Sequence, residues 1–315
     1  MRNSARIQKS GEHCPEAGQF LAGTSPKKPD RYNPVSVVSI VAAVTISTVI
    51  STAQTGASRI ALATVSDPRN RPLLDVSADD FVVQEAGAAR EVLSVRPADY
   101  PIVLVVDTSS DARNEFPLIR RAALRFIERI GTRPLAVITC GAAPALVAGF
   151  DDDEHTVVAK LGALESDSNA TATLLEAGAL AVQTLRRTGT LFSAIVALSA
   201  ATVDGSRGSP DEMLAAIADS GAILHIVANR SVQAMGGTGF RPGAALKAVA
   251  EQSRGEFTTI YSAASFQAAL ERLAERMTSE IMVEYIVPVG SKPNDVKLGI
   301  RVPGARVHGL GVAPR

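Results

Sequence analysis

Asp107, Ser109 and Asp111 stand at alternate positions just beyond an apolar run, in VLVVDTSSDAR, residues 103–113. Side chains at i, i+2 and i+4 of a tight loop can converge on one point. Carboxylate and hydroxyl oxygens are the ligands that Mg2+ or Ca2+ prefers, so the spacing is that of a possible cation site. The competing reading, and the favoured one, is structural: Asp107 and Ser109 cap the first helix and hydrogen-bond the loop.

Other chemistry-bearing residues point more weakly to function. The acidic run Asp151, Asp152, Asp153 and Glu154 precedes a helical pattern, where carboxylates meet unpaired N–H groups and the positive end of the helix dipole. It is expected to cap that helix. Asp79 and Asp80 begin a strand after a turn. A phosphatase that starts from Asp107 would need a second Asp at position 109, where Ser109 stands, and no glycine follows in TSSDARNEF to cradle a nucleotide. GGTGFRPG, residues 236–243, matches neither phosphate-binding pattern and reads as a connection. His155 begins a helix, His225 lies inside a strand and His308 sits in the closing β-segment, so no nucleophile finds a base. Cys140 ends a strand and reads as a core residue; with Cys14 in the leader, no disulfide framework is expected.

The elements that must position Asp107 have a clear pattern. Residues 57–98 alternate in the manner of strands and predict a β-subdomain. Across 99–277, continuous apolar runs such as PIVLVVD, PLAVITC, LFSAIVALS and AILHIVAN alternate with amphipathic stretches. That alternation predicts an α/β fold, a doubly wound and mainly parallel sheet covered on both faces. Residues 278–315 return to β-structure and are expected to pair with 57–98. In an open parallel sheet, ligands sit beyond the carboxyl ends of the strands, which is where Asp107 falls.

At this point the chain resembles the von Willebrand factor type A domain, whose metal-dependent adhesion site begins Asp-x-Ser-x-Ser after the first strand. Here the motif is Asp107-Thr108-Ser109-Ser110-Asp111. SADDFVVQEAGAAREV (77–92) and LAERMTSEIMVEYIVP (273–288) resemble segments that flank the domain in a bacterial branch of the family, so the resemblance spans residues 57–312. It implies a protein-interaction or scaffold module, not an enzyme, with Mg2+ or Ca2+ held by Asp107, Ser109, Asp111 and Thr171 or Thr173 if the adhesion site works. The departures are substantial. Aligning Leu174, Glu176 and Ala177 with the family pattern puts Ala172 where a threonine ligand belongs, and Ala200 stands where the second aspartate belongs, with Asp204 four residues late. A degenerate site without metal or other cofactor is therefore expected; the alternatives are a cation-dependent adhesion domain and an Asp107-dependent hydrolase or phosphotransferase.

Composition bounds the partners and the compartment. Residues 1–34 carry a net charge of +3 and the remainder −3, with no basic patch downstream, so nucleic acid is not expected as a partner. From Tyr32 to Ser58 there is no charged residue, and 35–53 is apolar apart from small hydroxylated side chains, enough to cross a bilayer. Basic residues before it place the N-terminus in the cytoplasm and the rest outside. The segment is either a transmembrane anchor or a signal cleaved near Ala53. The expected partner is a protein met by the loops 107–114, 168–173 and 200–209.

Overall fold

The structure is a computed structural model that describes residues 56–201, 204–229 and 243–313. The basic tail 1–34, the apolar segment 35–53 and most of the glycine-rich loop lie outside these residues. Strands β1 (Gly56–Ser66), β2 (Phe81–Glu85), β3 (Ala88–Arg90) and β4 (Val92–Pro97) come first, then an α/β alternation. The alternation runs β5 (Ile102–Asp107), α1 (Phe116–Ile130), β6 (Leu135–Cys140), β7 (Ala145–Ala148), α2 (Glu154–Gly162), α3 (Leu174–Arg186), β8 (Ser193–Ser199), α4 (Pro210–Ser220) and β9 (Ala222–Asn229). It ends with α5 (Gly243–Gln252), β10 (Phe257–Ile260) and α6 (Ser265–Thr278), before β11 (Glu280–Pro288), β12 (Val296–Ile300) and β13 (Arg306–Val312).

The central sheet has the order β10-β9-β8-β5-β6-β7, parallel except for β7. Its middle strands are apolar along most of their length because both faces are covered. Ile102, Leu104 and Val106 of β5 enter one core with α1, α2 and α6, while Val103 and Val105 enter another with α3, α4 and α5. This is the doubly wound arrangement that the continuous apolar runs predict.

Two antiparallel sheets accompany it, β13-β1-β11-β4 and β12-β2-β3. Alternate residues of β1 and β11 face opposite ways: Ala61, Ala63, Ile281 and Val283 pack with Phe81 and Val83 of the smaller sheet, whereas Leu62 and Met282 join the core of α1 and α6. Between the two antiparallel sheets the Arg59 guanidinium pairs with Glu85, and both side chains are almost wholly buried.

Two features depart from the sequence reading. AREVLSVRP reads as one strand, but the chain divides at Glu91, so that β3 stays with β2 while β4 pairs with β11. β7 has no counterpart in the sequence reading. It is a four-residue edge strand whose Ala145 and Leu146 are exposed, and its apolar run ALVA is too short to stand out beside those of the inner strands.

Candidate functional site

Strand β5 leads through α1 to β6 on one side, and β8 leads through α4 to β9 on the other. The carboxyl ends of β5 and β8 therefore bound the crevice where the winding reverses, the usual ligand position of such sheets. Asp107 closes β5 and Ser199 closes β8 at this point.

The Asp107 side chain is fully buried and held by backbone donors. Its Oδ1 accepts from Ser109 N at 2.9 Å, and its Oδ2 accepts from Ala200 N at 2.8 Å and Ala201 N at 2.9 Å. Burial pushes the carboxyl above its ordinary range, and the Ser109 hydroxyl, followed by the amide donors, pulls part of that shift back. The neighbouring loops are knit by main-chain bonds: Asp167 N donates to Thr108 O at 2.7 Å, Ser110 N to Ala170 O at 2.8 Å and Thr108 N to Cys140 O at 3.0 Å. A Cβ at Gly141 would lie 2.9 Å from Thr108 Oγ1, so glycine permits this close approach.

The residues singled out by sequence take different places here. Asp107 and Ser109 are joined, and the buried Ser109 Oγ lies beside the Asp107 carboxylate. Thr173 turns away and donates through Oγ1 to Gly141 O at 2.7 Å. Asp111, in a short 3-10 turn, and Thr171 are exposed at the rim. The expected capping of the first helix by Asp107 and Ser109 does not occur: α1 starts at Phe116, after Glu115, and the Asp107 bonds go to loop amides instead. Glu115 is tied to the end of β9 by Asn229 Nδ2 at 2.7 Å.

A hard cation needs free oxygen lone pairs converging on it. Both Asp107 oxygens already accept N–H groups, and the Ala200 and Ala201 amides point partial positive charge at the carboxylate. Ala172 and Ala200 supply no side-chain oxygen, and among the described residues no three His, Cys, Asp or Glu side chains assemble as metal ligands. As arranged, this donor set does not fit Mg2+ or Ca2+.

Asp204, Ser206 and Glu176 form a clamp that sequence reasoning missed. Asp204 Oδ1 accepts from Leu174 N at 3.1 Å and Ser206 Oγ at 2.7 Å, while Ser206 Oγ accepts from Leu175 N at 2.9 Å, so a loop after β8 caps the start of α3. Glu176, in the first turn of α3, reaches back through Oε1 to Arg207 N at 2.6 Å and Gly208 N at 3.1 Å. Burial raises the Glu176 carboxyl, but the Ser206 hydroxyl and these amides outweigh it, leaving it below the ordinary range. The available signal was Asp-Gly-Ser at 204–206, a turn sequence that brings two small acceptors close together. Cys140 is buried beside the site, and burial, followed by the Asp107 charge, holds its thiol well above the usual range, so it remains protonated.

No protein-family model matches the chain, and no curated protein matches it. Among solved structures it is similar to the conserved hypothetical protein BatB from Bacteroides thetaiotaomicron, at 14% identity over 56% of this chain and 98% of that one, with a TM-score of 0.44. It is also similar to a von Willebrand factor type A protein from Catenulispora acidiphila, at 12% identity over 83% and 74% of the two chains, with a TM-score of 0.46. A third is proximal thread matrix protein 1 from the mussel byssus, solved with a zinc-occupied adhesion motif, at 14% identity and a TM-score of 0.47. The match covers 62% of this chain and 49% of the byssus chain, so this chain spans about half of that protein's length. The fold itself is a doubly wound α/β sheet with two added antiparallel sheets.

Proposed function

We propose that this chain is a membrane-targeted, extracytoplasmic interaction or scaffold module, not an enzyme, that meets a protein partner through the loops 107–114, 168–173 and 200–209 without a metal. The observation that carries the reading is the engagement of the Asp107 carboxylate by Ser109, Ala200 and Ala201 N–H groups. Three amide donors hold the crevice together in the way a bound cation would otherwise do. They also leave Asp107 poorly placed as a nucleophile, and the protonated Cys140 thiol is no better. Membrane targeting rests on the uncharged stretch 32–58 and the basic residues before it.

Thermal unfolding in chelator and then in millimolar Mg2+, Mn2+ or Ca2+ tests the metal-free part. A cation bound at a hundred times its dissociation constant would add about 2.7 kcal/mol and raise the midpoint by several degrees. No shift is expected. A rise that disappears in Asp107→Ala would establish instead the cation-dependent reading, which the buried Ser109 Oγ beside Asp107 favours, with Asp107, Ser109 and Asp111 among the ligands. Turnover of phosphate esters lost in Asp107→Asn would replace both with a hydrolase. For localisation, fractionation of intact cells is expected to find the chain in carbonate-washed membranes, or outside the cytoplasm beginning near residue 54; recovery in the cytosol would remove that part.

A further inference from the structure

β12 and β13 follow one another through the turn 301–305, yet they end different sheets. β12 pairs only with β2, and β13 only with β1. Among the described residues, neither carries a strand on its outer edge. Where the two diverge there is a cleft of about 470 Å³, bounded by Asn294, Asp295, Val296 and Leu298 on one side and the main chain of 309–312 on the other, with Arg254 at its side. That volume lies within the range, roughly 300–1,000 Å³, of sites that bury a ligand.

The rim of this cleft combines the edge of β13 with the Arg254 guanidinium. Gly309 leaves its part of β13 without a side chain, and the pairing with β1 slips opposite Leu310. Arg254 lies against the strand and donates through Nη1 to Leu310 O at 3.2 Å; among the described residues it has no carboxylate partner. Glycine at 311 is what admits it, because a Cβ there would stand 2.3 Å from Arg254 Nη1. The one acid of the lining, Asp295, is engaged by Lys297 at 3.2 Å. A bulge and a charged side chain are devices that keep an open edge from indiscriminate pairing, and here the slip at Leu310 and Arg254 supply both, Arg254 being a guanidinium without a carboxylate.

We propose that this cleft takes an extended acidic segment of a partner protein, which adds to the outer edge of β13 through main-chain hydrogen bonds and sets one carboxylate on Arg254. Main-chain pairing supplies the affinity, and the Arg254 contact selects the acidic sequence. The cleft is apart from the loops over the carboxyl edge of the central sheet, so this inference stands or falls independently of the function proposed above.

The probe is an acetylated and amidated peptide, Thr-Val-Asp-Val-Thr-Val, titrated into the full chain in detergent with the amide resonances of Gly309 and Gly311 as readout. Saturable shifts of both amides are expected, with affinity at least tenfold weaker for the peptide bearing Asn in place of Asp and for Arg254→Ala. Gly309→Leu is expected to abolish binding while leaving Arg254 in place, since an added Cβ there meets only Leu298 Cδ1 at 3.6 Å and a larger side chain fills the cleft. The Asn peptide needs no variant protein, so it decides the charge question even if a substitution perturbs folding. Absence of shifts at millimolar peptide, or equal binding of the Asp and Asn peptides, overturns the proposal. So does self-association of the chain that Gly309→Leu abolishes, because the occupant would then be a second copy.

Discussion

At the scale of single residues, Asp107 and His225 are both buried polar groups with opposite accounts. Asp107 is satisfied by three amides, and Asp107→Asn would turn one acceptor oxygen into a donor facing an N–H group. The expected cost is about 1–3 kcal/mol, measured as a lowered urea midpoint, and an unchanged midpoint would mean that the amides do not depend on the charge. His225 lies within β9, 1% exposed, with neither ring nitrogen hydrogen-bonded among the described residues. Burial, and then the Arg276 charge, lowers its pKa from 6.5 to about 3. Between those values the unfolded chain binds a proton that the folded chain refuses, so stability falls as pH falls from about 6.5, by up to about 1.4 kcal/mol per unit. His225→Leu is expected to be relieved of that loss: its advantage over the parent should widen between pH 7 and pH 5 in urea titrations, and parallel curves would contradict it. Buried Asp107 and Glu280, whose carboxyls are raised, act with the opposite sign but are common to both proteins and cancel in the difference. The sequence marks Asp107 because it terminates an apolar run; it could not mark the Ala200 and Ala201 amides, since backbone donors 93 and 94 residues away have no residue-type signature.

At the scale of elements, what was legible depended on whether the stabilising partner is local. Asp153 accepts from Thr156 N at 2.7 Å and caps α2 three residues away, as the acidic run predicts. The cap of α3 comes from Asp204 and Ser206, some thirty residues downstream, and only the fold brings it there. The inner strands declared themselves by continuous apolar runs, whereas β7 is only four residues long and the break between β3 and β4 falls at sheet edges without such a run. Glycine positions show the same division and give a paired test. A Cβ at Gly255 would stand 1.7 Å from Leu224 O, a backbone atom that cannot swing away, so Gly255→Ala should lose at least about 2 kcal/mol. Gly162 is helical, at the end of α2, and a Cβ there meets nothing within 4 Å, so Gly162→Ala should gain about 0.5–1 kcal/mol. Chemical denaturation of both variants reads the contrast, and a Gly255→Ala variant as stable as the parent would refute the packing around residue 255.

At the scale of the whole described fold, the antiparallel sheets and the α/β layers share core, and the Arg59–Glu85 pair sits within the β part of it. Arg59 reaches Glu85 on β2 and also Ser291 between β11 and β12, so one guanidinium links both antiparallel sheets. A buried ion pair broken by removing one partner typically costs about 3–5 kcal/mol, because the other charge is stranded, whereas exchanging both for apolar residues is often close to neutral. Glu85→Leu alone should therefore destabilise strongly, and Arg59→Leu with Glu85→Leu should recover most of the loss. How far the damage travels follows from Leu62 of β1, Met282 of β11 and Leu310 of β13, which lie in the same apolar cluster as Leu104, Val106 and Phe266 of the α/β layers. Loosening the antiparallel sheets opens that cluster, so unfolding should be a single transition. In a Cys14→Ser background the buried Cys140 thiol reports on the central sheet alone. Its labelling midpoint in urea should coincide with loss of circular dichroism in both the parent and Glu85→Leu, shifted together to lower urea in the variant. Protection of Cys140 persisting beyond the spectroscopic change would show instead that the α/β layers hold without the flanking sheets, and that the shared cluster does not couple them.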